Sequence, residues 1–200
     1  MKDLKRSART LNSTLNILFL PFLVWGLFAV GYHILALHRL LTDPSALTSK
    51  MGLTIDWLTL TADHGFGITM DAAVPMKLVQ LLSAAIITAI GCRAMRILKQ
   101  ILLPIEVGKP FLQGISGHFS RLSRCAFWLG MAENLSMLAS VMLIEKYYGL
   151  PSLLVSETVT RVSFDLQFRP AWMIVAVVLT VLATVFRHGE QLQQLADETL

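Results

Sequence analysis

Charge is scarce in this 200-residue chain. Asp, Glu, Lys and Arg together make up 15%, against about 25% in an ordinary soluble domain. Hydrophobic residues reach 54%, and mean hydropathy is +0.62. So few charges cannot dress a water-facing surface, and the composition points to a bilayer as solvent. Cysteine is sparse as well. Cys92 and Cys125 fall at span ends that the charge pattern assigns to a reducing compartment, where disulfides do not persist. Two thiols at unrelated positions do not make a metal site. HExxH, CxxC, phosphate-loop and GxSxG patterns are all missing. His33 and His38 lie five apart, and His64, His118 and His188 are isolated. The expectation is a chain with no enzyme activity, no cofactor and no metal.

What the chain does have is four apolar runs. A helix needs about 20 apolar residues to cross ~30 Å of hydrocarbon. The first run, 15–37, carries no charge; the second, 72–92, carries Lys77; the third, 125–144, carries Glu133. The fourth, 171–188, stays apolar to Phe186 and is slightly short, so its helix should continue toward Leu195. The predicted fold class is an all-α membrane protein, a four-transmembrane-helix bundle in a single membrane domain. Pro21, inside the first run, predicts a kink.

Lys and Arg near span ends orient such a chain. Lys2, Lys5, Arg6 and Arg9 precede the first span. Between the second and third lie Arg93, Arg96, Lys99, Lys109, Arg121 and Arg124, opposed only by Glu106. The connections 38–71 and 145–170 are acidic or mixed. The basic connection 93–124 and both termini are therefore expected in the cytoplasm. Tyr32, Tyr147, Tyr148 and Trp172 fall at the expected outer interface and Trp128 at the inner one, as an aromatic belt would have it.

Long outer connections without structure of their own are uncommon, and these two show strand patterns. TRVSFDLQF, 160–168, alternates with period two, and LTIDWLTLT, 53–61, is rich in β-branched and aromatic residues. A small extracytoplasmic antiparallel β cap is expected from them. In the cytoplasmic connection, Arg93, Arg96 and Lys99 share one helix face. The second helix is expected to run on to Pro104, with a turn at Gly108 and Pro110 and a new helix from about Ser116. These cations suit anionic lipid or a cytoplasmic protein partner. Without a recognised binding motif or interleaved aromatics, they do not predict direct nucleic-acid binding.

The stretch from Ile97 to Arg124 resembles the central signature of the bacterial domain of unknown function 2975 family. The matching positions are Gly108, Pro110 and Phe111, followed by Arg121-Leu122, whose order is reversed from the family's Leu-Arg. The C-terminus, with Gly189, Leu192, Gln193, Asp197 and Glu198, resembles the family's ending. The resemblance implies a four-span bacterial inner-membrane protein without an assigned enzyme activity. Some members are encoded beside small helix-turn-helix regulators, which implies a regulatory pair.

Within the spans, Glu133, Asn134 and Lys77 are the polar candidates, because charges in hydrocarbon face a bundle interior and find partners. Counting ~1.5 Å per residue puts Lys77 about 8 Å from the outer surface and Glu133 about 12 Å from the inner one. The sequence thus predicts a non-enzymatic inner-membrane sensor or regulator contacting a cytoplasmic partner. The alternative is a small transporter or channel-like protein using Glu133 and Lys77, for which an oligomer would be needed to enclose a pathway.

Overall fold

The computed structural model describes residues 2–43, 53–55, 58–62, 70–108, 114–148, 159–164 and 169–198. Among these, four helices dominate: α1 (Lys2–Thr42), α2 (Met70–Val107), α3 (Ile115–Tyr148) and α4 (Ala171–Glu198). The helices outrun the expected spans. At about 1.5 Å per residue, α1 is ~60 Å long, twice the thickness of hydrocarbon. The basic start of the chain is helical because Lys, Arg, Ala and Leu all favour helix. The Thr10 and Thr14 hydroxyls donate to the carbonyls of Arg6 and Thr10, one turn earlier. α1 remains one helix through Pro21.

α2 passes Pro104, where the sequence reading ended it, and stops at Val107. A proline three residues from a helix end deprives only one carbonyl of its donor. Gly108 then closes the end: its N–H donates to the Ile105 carbonyl at 3.0 Å, and its φ is 90°. Gly114, with φ 100°, precedes α3. An L side chain at either glycine would be strained. The intervening residues, including Lys109, Pro110 and Phe111, lie outside the described residues.

The chain divides into two compact units. Unit 1 comprises Met1–Leu27, Ile86–Met131 and Pro170–Leu200, and so holds a segment of every helix. α1 and α2 run antiparallel here. Gly26 faces Thr88 and Gly91 faces the Phe22 ring, each so close that an added Cβ would collide. At the end carrying both termini, Glu106 accepts from Arg9 Nε at 3.1 Å and from Asn12 Nδ2 at 3.2 Å. α3 and α4 form a second antiparallel pair. The Ser123 hydroxyl lies 2.8 Å from the Ala176 carbonyl and 2.8 Å from the Thr180 hydroxyl. The Phe119 and Phe186 rings stack at 4.7 Å, and Gly130 faces Trp172. A core of Ile97, Ile101, Ile115, Phe119, Cys125 and Ala183 joins α2, α3 and α4.

Unit 2 comprises Phe28–Ala85 and Ala132–Arg169. It contains an antiparallel sheet of β1 (Leu53–Ile55), β2 (Leu58–Ala62) and β3 (Val159–Phe164), in that order. The run 53–61, read from sequence as one strand, is a hairpin pairing Leu53 with Leu60 and Ile55 with Leu58. No Gly or Asn marks the reversal, so the sequence pattern ran through it. β3 pairs with β2 from Leu58↔Phe164 to Thr61↔Arg161, and the register shifts at Ala62. The remainder of the expected strand, 165–168, lies outside the described residues.

Candidate functional site

Lys77 and Glu133, the two charges expected within spans, both belong to unit 2. Lys77 is half-buried on α2 and donates to Gln80 Oε1, one turn on, at 3.1 Å. His33 of α1 belongs to the same unit. The His33 Nδ1 is enclosed and has no hydrogen-bond partner among the described residues. Sequence spacing missed this histidine, because the enclosure of one ring nitrogen leaves no local pattern. Glu133 is half-buried on α3.

Asn134 has a structural task. Its Oδ1 accepts the Arg169 N–H at 3.2 Å, and its Nδ2 donates to the Arg169 carbonyl at 3.3 Å. This reciprocal pair fixes the backbone two residues before α4 begins. A segment entering a helix has donors without helical partners, and one amide side chain can serve both a donor and an acceptor.

The C-terminal residues are likewise fixed at one point. Glu190 accepts the Ser116 N–H at 2.7 Å and the Ser116 hydroxyl at 3.0 Å. An anion at the first turn of α3 satisfies an orphan donor and meets the positive end of the helix dipole. Gly189 is half-buried nearby, whereas Leu192, Gln193, Asp197 and Glu198 are all exposed on α4. Leu192 is 68% exposed.

The basic residues split by environment. Lys99 lies with its Nζ 5.0 Å from the centre of the Phe19 ring, a cation–π distance. Arg93, Arg96, Arg121 and Arg124 are all exposed. Among the described residues none of these four has a carboxylate partner, the ion pair present being Arg9–Glu106. No group of three or more His, Cys, Asp or Glu side chains that could hold a metal ion occurs among the described residues.

The outer surfaces of the helices decide the class of protein. Trp25 on α1 is 65% exposed and Val177 on α4 is 63% exposed. Soluble chains do not expose contiguous apolar surface of this extent, whereas lipid tails accept it. All four helices are long and apolar enough to cross a membrane. The chain is a multi-pass membrane protein of the four-helix, all-α kind. Comparison with protein-family models, curated proteins and solved structures finds no match.

Proposed function

We propose that this chain is a non-enzymatic regulator of a bacterial inner membrane, with both termini in the cytoplasm, and that it acts by holding a cytoplasmic protein partner. The observation that carries this reading is the Glu190–Ser116 clamp. It anchors the C-terminal helix at one point while Leu192 stays exposed beyond it. The last turns of α4, fixed at Glu190 and with an apolar residue outward, suit helix-in-groove recognition. The sheet would serve as an extracytoplasmic cap that receives the signal. The resemblance to the domain of unknown function 2975 family favours a helix-turn-helix regulator as the partner.

A second reading, a small transporter or channel, draws support from the Lys77–Gln80 pair and the enclosed His33 ring nitrogen in unit 2, with Glu133 in the same unit. One experiment separates the two. The tagged chain is purified from its native membrane in mild detergent, beside Leu192→Asp and Glu133→Gln variants. A stoichiometric cytoplasmic partner that Leu192→Asp loses and Glu133→Gln keeps is the expected result. Recovery of the chain with lipid alone would overturn the regulator reading. Solute flux into reconstituted vesicles that Glu133→Gln abolishes would establish the transporter.

A further inference from the structure

Unit 1 sets Arg93, Arg96, Arg121 and Arg124, all exposed, at a depth that the linear sequence does not reveal. On α2, Arg93 and Arg96 lie between Gly91, which faces Phe22, and Lys99, which lies over Phe19. By the antiparallel register of Gly26 with Thr88, Gly91 with Phe22 and Arg9 with Glu106, they are level with residues 18–21 of α1, about 4–9 Å inside the apolar run that begins at Leu15. On α3, Arg121 and Arg124 flank Ser123, which bonds to Ala176 and Thr180 of α4. They are level with the apolar stretch of α4, whose Val177, Val178 and Val181 all face outward. The two arginine pairs stand on adjacent helices, since Ile97 and Ile101 of α2 share one buried core with Phe119 and Cys125 of α3.

Charges that only set orientation need reach no deeper than the water boundary. Arginines whose helix positions are level with outward valines, and which have no carboxylate partner among the described residues, offer their guanidinium groups to an anion from outside the chain. Phosphate fits, because its oxygens accept bidentate pairs from the planar guanidinium fork. The neighbouring apolar faces of α1 and α4 supply what acyl chains require.

We propose that Arg93, Arg96, Arg121 and Arg124 form a binding site for the phosphate headgroup of an anionic phospholipid, in the leaflet on the side of both termini. The site is independent of any protein partner. Trp128, exposed one turn beyond Arg124 on α3, is its natural reporter.

The test uses the full chain with Trp25, Trp57 and Trp172 replaced by Phe, reconstituted in phosphatidylcholine vesicles. Brominated phosphatidylglycerol or brominated phosphatidylcholine is added at equal mole fraction, and quenching of Trp128 is read. Stronger quenching by the phosphatidylglycerol is expected. Its relative affinity should fall roughly fivefold per arginine removed, so about 25-fold in the Arg93→Gln, Arg124→Gln double variant. If that variant fails to fold, Arg96→Gln alone should lower the preference roughly fivefold. Equal quenching by both lipids, or a preference that these variants leave unchanged, overturns the site. Loss of the preference on adding inorganic phosphate at constant ionic strength would assign the arginines to free phosphate and overturn the lipid.

Discussion

The two antiparallel helix pairs of unit 1 are held by different means. α1 and α2 meet by shape: Gly26 against Thr88 and Gly91 against the Phe22 ring, with a polar lock of Arg9, Asn12 and Glu106 at one end. α3 and α4 also have a close approach, Gly130 against Trp172, and stacked rings, but add polar groups along their length: the Ser123 and Thr180 hydroxyls in the middle and the Glu190 carboxylate at the end. Lipid tails are as apolar as leucine, so burial of apolar side chains alone does not draw helices together in a membrane. Close approach and hydrogen bonds must do so. The first means fails abruptly when a side chain grows, while the second fails in steps, one bond at a time.

The largest effect should come from breaking the shape. In Gly26→Val the new side chain meets a β-branched threonine whose rotamer a helix restricts. Overpacking of this kind costs about 1–3 kcal/mol. A drop of several degrees in the thermal unfolding midpoint in detergent is expected, and an unchanged midpoint would show that the pair does not depend on this fit.

Glu190→Ala comes next. It removes two hydrogen bonds to a carboxylate, each worth about 1.5–3 kcal/mol in favourable settings. Partial exposure reduces that figure, so the loss should be local. Hydrogen exchange at residues 187–198 and 115–119 is expected to quicken at least tenfold while the rest of the chain is unaffected. Exchange unchanged at both segments would mean that the clamp does not hold the tail.

Arg9→Gln should matter least. The Arg9 side chain is 78% exposed, and solvent-exposed ion pairs contribute about 0–1 kcal/mol. Asn12 also remains on Glu106. The unfolding midpoint should stay within error of the parent, and a shift as large as that of Gly26→Val would erase the contrast between the pairs.

Hydropathy was enough to read the four helices, because each apolar run is a property of one helix. The start of α3 near Ser116 and the continuation of α4 past the membrane were legible too, from Gly108 and from the shortness of the run ending at Phe186. Pro104 misled, since proline near a helix end removes little. The reversal between Ile55 and Leu58 was concealed because Asp56 is the one turn-favouring residue there and no Gly follows it. The candidate site was legible only in part. Asn134 was singled out for its depth, yet its amide is committed to the Arg169 backbone. His33 makes no site by its five-residue spacing from His38, yet its Nδ1 is enclosed without a hydrogen-bond partner among the described residues.

By itself the sequence determined the solvent. Fifteen per cent charge and four long apolar runs leave a membrane as the medium, and the distribution of Lys and Arg sets an orientation to expect. The tertiary structure decided the register. Ser116 and Glu190 are 74 positions apart, and Ser123 and Thr180 are 57 apart, so no local pattern could pair them. Hydropathy adds up along one helix, but how far one helix slides along another depends on which small residues nest and which hydroxyls find acceptors. That sliding is what sets Arg121 and Arg124 beside the apolar stretch of α4, where linear counting had left them at the water boundary.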